Sequence, residues 1–404
     1  MSTNMDIDDL DNFEPVARIV VIGVGGAGNN AVNRMIDEQI QNVEFYVANT
    51  DKQALATSKA PNRLVLGDGV TKGLGAGGDP AMGKEAAEQS ADKIKEIVKG
   101  ADMVFIAAGM GKGTGTGAAP VIAKLAKEAG ALTLAIVTRP FTFEGQQRNV
   151  NAVDGLNKLK EAVDSLIIVS NDKLLMTSGN TPVNQAFKDS DGVLAQSVKT
   201  VADLILLPAL VNLDFADVRS TLKDSGIALI GYGIGKGPNK AAVAAENAIN
   251  SPLLETSISG ARKAICAVTC GTNVNLYEAQ ECVQRIAEQA GRTIDIKFGV
   301  SINTQLEDSL IVSVIASDFA EEYDFTSVKP FEMPKDPNSF GKGVEIVKAK
   351  EVAEEVKDEK KVDHEENNIA ESMLPNFLKS ALENKTNLNF VGNDNSGGED
   401  DSGF

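Results

Sequence analysis

Between Gly109 and Gly117, five glycines alternate with Met110, Lys112, Thr114 and Thr116. Such a run can align backbone N–H groups into an anion nest, with threonine hydroxyls for a phosphate or a metal-bound water. It is not a Walker P-loop, because Gly111-Lys112 is followed by glycine where that motif needs Ser or Thr. A second run, Gly23-Val24-Gly25-Gly26-Ala27-Gly28-Asn29-Asn30, fits G-x-G-x-x-G, and an acid, Asp51, lies 23 residues past Gly28. Taken alone, this is nearly the full dinucleotide fingerprint and points to an NAD-type site. A third cluster, Gly73-Leu74-Gly75-Ala76-Gly77-Gly78-Asp79, stands between the other two. Three glycine loops suit a triphosphate wrapped on several sides, whereas a dinucleotide needs mainly the first.

Other residues suggest contacts around such a ligand. Glu144 and Arg148 are four apart and face together, either as a surface ion pair or as a ribose and phosphate contact. Asn171, beside Asp172 at a strand end, and Phe187, at the start of a helix, offer an amide and an aromatic ring for a purine. Core packing is an equally good reading of Phe187. The loop Asn212-Leu213-Asp214-Phe215-Ala216-Asp217 carries two acids three apart, so one turn presents both on one side. Paired carboxylates can orient an attacking water or a cation.

These residues need a scaffold, and the pattern supplies one. Apolar, β-branched runs at Ala17–Val24, Val43–Ala48, Met103–Ala108, Leu132–Val137 and Leu166–Val169 predict strands. Helical patterns cover Asn29–Gln39, Met82–Val98, Ala118–Ala129 and Arg148–Val163. The alternation predicts an α/β fold with a doubly wound parallel sheet whose ligand sits at the carboxyl ends of the strands. Val183–Leu206 reads as one long helix, followed by a loop over Pro208–Asp217. Strands at Ile227–Ile234, Ala264–Thr269, Asp295–Ile302 and Leu310–Ile315, with helices Lys240–Asn250 and Tyr277–Gln289, predict a smaller mixed α/β domain. A helix of about 24 residues spans about 35 Å. Asp214 and Asp217 should therefore sit far from their own chain's glycine loops. They either cap a helix or serve another copy's ligand, and head-to-tail contacts of that kind propagate as filaments.

Composition narrows the classes. The chain has 404 residues, 39 basic and 57 acidic, for a net charge of -18. An acidic surface argues against nucleic acid as a partner. One histidine, His364, and three cysteines, Cys266, Cys270 and Cys282, argue against Ser-His-Asp, Cys-His and zinc chemistry and against a disulfide framework. No apolar run reaches the length of a membrane span, and the first residues carry no signal-peptide pattern, so a cytoplasmic location is expected. Charge concentrates at the ends: residues 1–14 hold five acids and no base, and residues 318–404 hold 21 acids and 10 bases. The expected organisation is an acidic disordered arm (1–14), a nucleotide-binding domain (15–182), the long helix and acidic loop (183–217) and the smaller domain (218–317). A disordered linker (318–371), an apolar peptide (372–380) and a disordered tail (381–404) complete it.

The motifs jointly resemble a known family. GMGKGTGTGAAP (109–120) looks like the tubulin signature. With GVGGAGNNAVNRM (23–35), NTD (49–51), VTRPFTFEGQQR (137–148), NDKLL (171–175) and NLDFADV (212–218), it closely resembles the bacterial cell-division branch of the tubulin/FtsZ family. The resemblance runs in register from about Ala17 to Ser317. It implies a GTPase that polymerises head-to-tail into protofilaments and forms the mid-cell cytokinetic ring. By that likeness, Gly25, Gly26, Asn30, Ala76, Gly77, Gly113, Thr114 and Gly115 contact phosphates and sugar, and Glu144 and Arg148 the ribose and phosphate region. Arg34, Asn171, Phe187 and Asp191 would hold guanine. Asp214 and Asp217, with Asn212 at the loop start, would complete a neighbour's site. Mg2+ would arrive on the phosphates of GTP, with no metal site of the protein's own. Lys112 replaces a glycine usual in the family, and Asp191-Gly192 lacks the usual amide beside the acid. The apolar island with Leu374, Pro375, Phe377 and Leu378 resembles the family's C-terminal peptide, which docks on membrane-tethering and regulatory division proteins. Two other readings remain open from the residues: an NAD-dependent oxidoreductase, and a filament that binds GTP without hydrolysing it.

Overall fold

The computed structural model describes residues 17–320, apart from 179–181, 207, 208, 252 and 292. The acidic arm (1–14), the apolar peptide (372–380) and the tail (381–404) lie outside the described residues, as does the linker beyond residue 320. In chain order, β1 (Ile19–Val24) leads into α1 (Gly25–Asp37), and β2 (Glu44–Asn49) into a short α2 (Lys52–Ala56). β3 (Asn62–Val65) precedes α3 (Asp68–Thr71), α4 (Pro80–Gln89) and α5 (Ala91–Val98). Three further strand–helix pairs follow: β4 (Met103–Gly109) with α6 (Thr114–Glu128), β5 (Leu132–Arg139) with α7 (Gln146–Ala162), and β6 (Ser165–Ser170) with α8 (Asn171–Ser178). The long α9 (Val183–Leu206) and α10 (Phe215–Leu222) lead to β7 (Gly226–Lys236) and α11 (Lys240–Ile249). Last come β8 (Ala261–Cys270), α12 (Leu276–Ala290), β9 (Asp295–Ile302) and β10 (Ser309–Phe319).

All ten strands form one sheet in the order β3-β2-β1-β4-β5-β6-β7-β10-β8-β9. Every pair from β3 to β7 is parallel, while β10 runs antiparallel to both β7 and β8. The fold is thus the mixed α/β, mainly parallel architecture expected from the alternation. Its two halves are joined at β6 and β7 by the register Ser165↔Gly226, Leu166↔Ile227 and Ile167↔Ala228.

The pleat sorts the core. In β1, Val20, Ile22 and Val24 enter one buried cluster and Ile19 and Val21 the other; β4 divides in the same way. The first cluster holds apolar residues of α4, α5, α6, α7, α11 and α12. The second holds Ala31, Val32 and Met35 of α1, Leu194, Ala195, Val198 and Val201 of α9, and Val218 and Leu222 of α10. Near-continuous apolar strands follow from burial on both faces.

Local chemistry moves several boundaries. The helical pattern over Met82–Val98 is two helices, because Ser90 leaves helical geometry (φ -98°, ψ 10°) and its hydroxyl accepts the Gly67 N–H at 3.0 Å. α1 and α6 start four residues before their apolar patterns. Their first turns are glycine-rich, with low helix propensity, and close packing holds them instead. α10 begins at Phe215, so Asp217 lies in a helical first turn rather than a loop.

Buried polar groups tie the sheet together. The Asp164 carboxylate accepts the Thr133 N–H at 2.8 Å and lies 3.2 Å from the Lys127 ammonium. Arg139 and Glu255, both nearly buried, pair at 3.2 Å across the two halves, and Lys173 donates to the carbonyl of Leu254. The three cysteines are free and buried, and burial pushes the Cys282 thiol up to about 12.

Phe105, in the middle of β4, is fully buried. Phe105→Ala should cost about 3–5 kcal/mol through lost burial and a cavity. The check is a lower denaturant midpoint with unchanged secondary-structure content.

Candidate nucleotide site and acidic edge

The sheet's switch point lies between β1 and β4: α1 after β1 covers one face, and α6 after β4 covers the other. A crevice opens between two such helices at the carboxyl ends of the strands. Both helices start there without a side-chain cap, at Val24 and Gly113. Their first-turn N–H groups lack intrahelical partners and face a favourable dipole end, which is the chemistry of anion binding. By contrast, Asp51, Asp79, Asp214 and Asn275 cap α2, α4, α10 and α12. The acid that suggested a dinucleotide ribose contact, Asp51, thus has its carboxylate engaged with the N–H groups of Gln53 and Ala54.

The three glycine runs meet at this crevice. A Cβ on Gly25 would lie 2.9 Å from the Gly115 nitrogen, and one on Gly113 would lie 2.8 Å from the Ala76 Cβ and 3.0 Å from the Asp79 nitrogen. Gly28 packs so tightly that a Cβ would lie 2.2 Å from the Ala107 carbonyl oxygen, so only glycine lets α1 approach β4. The third run is held by Lys52 and Gly75, whose N–H groups donate to Gly73 O and Thr50 O at 3.0 and 3.1 Å. Gly26 and Gly77 are exposed with open space where a side chain would be. Thr50 and Thr114 join their hydroxyls at 2.7 Å, and Thr116 accepts the Gly111 N–H at 2.9 Å. Gly25, Gly26, Ala76, Gly77, Gly113, Thr114 and Gly115 are therefore brought together. The structural part of Thr50 and Thr116 was missed by sequence reasoning, although Thr50 stands inside the noted NTD motif.

Beside this cradle, α1 and α9 converge. Asp191 on α9 accepts a hydrogen bond from Asn30 on α1 and feels the charge of Arg34. Burial outweighs both and pushes Asp191 up to about 7. Arg34 also pairs with Glu38 at 2.8 Å. Asn171 is buried at the start of α8, and its carbonyl oxygen accepts the Ser190 hydroxyl at 2.7 Å. Phe187 stands edge-on to the buried Phe141, with centroids 5.1 Å apart, and keeps a partly exposed ring. Phe187 thus both packs and presents a face. Next to it, Glu144 and Arg148 form an ion pair, and Glu144 also accepts the Phe141 N–H at 3.1 Å. Asp172 clamps Thr142 through its N–H at 2.9 Å and its hydroxyl at 2.6 Å. Neither Asp172 nor Ser190 had been expected to build this corner; both sit beside residues that were.

Asn212, Asp214 and Asp217 are not part of this group. Asp214 caps α10, accepting the Asp217 N–H at 2.8 Å, while Asp217 accepts the Asp214 N–H at 3.4 Å. Asn212 accepts the Ala209 N–H at 2.7 Å. α10 lies at the amino ends of the strands: its Leu222 carbonyl accepts the Ser165 hydroxyl at the start of β6, and Arg219 donates to Gly130 just before β5. The eight residues of β5 separate that edge from the cradle by roughly 26 Å. The acids cap a helix, and the contacts of α10 put that helix at the opposite strand ends from the chain's own glycine loops.

The fold and the uncapped glycine-rich helix starts define an α/β protein of the nucleotide-binding class. Comparisons narrow the class. A family model described as the GTPase domain of the Tubulin/FtsZ family matches residues 18–179, and one described as the FtsZ family C-terminal domain matches residues 226–320. The chain is similar to an empty FtsZ dimer from M. jannaschii, with 38% identity over 82% of this chain and 100% of that one, and a TM-score of 0.73. It shares its fold with CetZ1 from Haloferax volcanii, a GDP-bound monomer at 22% identity covering 76% of this chain and 96% of that one, TM-score 0.67. CetZ2 from the same organism, a GTPγS-bound protofilament, also shares it, at 22% identity over 77% and 96%, TM-score 0.65. The chain belongs to the tubulin/FtsZ family and is a GTPase.

The raised Asp191 makes a stability prediction. An unfolded Asp ionises near 3.9, so between that value and about 7 the folded state holds a proton that the unfolded state has lost. The penalty therefore grows as pH rises through this window and is complete above it. Asp191→Asn keeps an oxygen for Asn30 and should melt higher than the parent at pH 8. The difference should shrink toward pH 5 in thermal scans without nucleotide.

Proposed function

We propose that this GTPase polymerises head-to-tail into protofilaments, hydrolyses GTP at the junction between subunits, and scaffolds the cytokinetic ring of a dividing bacterial cell from the cytoplasm. The observation that carries the reading is the separation of the cradle from Asp214 and Asp217 by a full strand length, at opposite edges of one subunit. Stacking one subunit on the next brings one copy's acids to the other copy's cradle, as a heterologous interface requires.

In this reading, first-turn N–H groups of α1 and α6 and the 76–77 loop hold the phosphates. Asn30 contacts the phosphates and sugar, Arg34, Asn171, Phe187 and Asp191 hold guanine, and Glu144 and Arg148 border the ribose and phosphate region. Asp214 and Asp217 orient the water that attacks the γ-phosphate in line, with Asn212 supporting the loop. Their reciprocal caps fix both acids before a neighbour arrives. Among the described residues no three His, Cys, Asp or Glu gather into a metal site. The Thr50 and Thr114 hydroxyls are hard oxygens of the kind that suit an Mg2+ carried by the nucleotide. When bound, that ion would offset phosphate charge.

The division of labour follows the chain: nucleotide binding in 15–182, the helix and acidic loop in 183–217, and a supporting domain in 218–317. Residues 372–380, with Leu374, Pro375, Phe377 and Leu378, would serve as the tether to membrane-attached and regulatory division proteins. No helix among the described residues is long and apolar enough to cross a membrane.

The test is GTP turnover across protein concentration, with light scattering in parallel. Turnover per subunit should rise with concentration. Asp217→Asn preserves the cap acceptor and should retain GTP while losing about 100-fold in turnover, in line with removal of a charge that stabilises a transition state. Turnover that does not depend on concentration, or an unimpaired Asp217→Asn, contradicts a shared site.

A further inference from the structure

Lys112 is the one charged residue inside the Gly109–Gly117 run, and its setting is electrostatically lopsided. It is flanked by Gly111 and Gly113, and both neighbours are closed in. A Cβ on Gly111 would meet the Arg148 carbonyl oxygen at 2.8 Å, and Gly111 has φ +100°. Gly113 is pressed against Ala76 and Asp79. The backbone around Lys112 is therefore fixed, while its side chain is exposed.

The other cations bordering the cradle are spent on carboxylates. Arg34 pairs with Glu38 at 2.8 Å, Lys52 with Asp68 at 2.6 Å, Lys84 with Glu88 at 3.7 Å, and Arg148 with Glu144. Among the described residues, no carboxylate lies within ion-pair distance of Lys112. Lys72 is also without one, but it terminates α3 outside the glycine runs. Lys112 lies one residue ahead of the Gly113 N-cap of α6, a 15-residue helix with no capping side chain. A cation at the positive end of a helix is unfavourable until an anion shares the site.

We propose that the Lys112 ammonium binds the polyphosphate of the nucleotide and sets the preference for triphosphate over diphosphate. The inference rests on the reading that the glycine runs hold the nucleotide. Lysine acts here as a point charge on a flexible stem, so its contribution scales with phosphate charge and not with base identity.

Binding of GTP, GDP and GMP is measured on the full chain at concentrations too low to scatter light, for the parent and for Lys112→Gly, Lys112→Gln and Lys112→Arg. The Gly and Gln variants should lose about tenfold in GTP affinity, the scale of one charge-assisted hydrogen bond. The loss should be smaller for GDP and absent for GMP, with a shallower salt dependence. Lys112→Arg should restore the GTP preference. The nucleotide-free melting midpoint of Lys112→Gln should equal or slightly exceed the parent's, because the side chain is exposed and its charge opposes the helix dipole. GTP affinity unchanged within twofold in both variants overturns the proposal. This includes the case where turnover at high concentration still falls, which assigns Lys112 to a neighbouring subunit's acids. A parent chain that fails to retain GTP overturns the nucleotide reading itself.

Discussion

The structure depends on how closely two helices can approach the carboxyl ends of β1 and β4. Gly28 against Ala107, and Gly115 against Gly109, leave no room for a side chain. Because of those approaches, the first turns of α1 and α6 point their unpaired N–H groups into one crevice. Glycine is costly in a helix, about 1 kcal/mol each relative to alanine. The core on both faces of the sheet makes up that deficit, through Ala31, Val32 and Met35 of α1 and the alanine-rich buried face of α6. The geometry of the crevice and the stability of the fold are coupled through this packing.

Much of this was legible in the residues. Strand and helix alternation gave the parallel sheet, because residues buried on both faces leave apolar runs that end in glycine. α9 was readable end to end, since Leu194, Val198 and Val201 recur at helical spacing and are buried. The three glycine runs stood out by spacing, and the fold brings them together. Less visible was whatever tertiary contact decides. β3 has four residues, too few for a periodicity, and Ser90 breaks a helix through a bond to distant Gly67. The start of α10 at Phe215 was hidden because Asp214 and Asp217 read equally as loop acids and as a capping box. The corner beside the cradle was partly legible: Phe187 and Asn171 stood out by type. The supporting roles of Ser190, Asp172 and Phe141 need three-dimensional neighbours.

The halves of the chain are coupled by more than strand pairing. The Arg139–Glu255 pair and the Lys173 contact to Leu254 cross from the parallel strands to the segment before β8. Lys173 follows Asn171 and Asp172 in α8, so the helix whose residues hold Thr142 and Ser190 also anchors the second half. Burial depresses Lys173 from its ordinary value, which fits a cation held among carbonyls rather than in water.

The strand-length gap between cradle and acids makes each subunit an object with two unlike poles. In a head-to-tail string of the kind proposed, one terminus would present a nucleotide that no carboxylates reach, and the other would present carboxylates with nothing to act on. On that reading the last nucleotide at the first terminus would outlive those in the interior, so the two ends of the string would differ chemically.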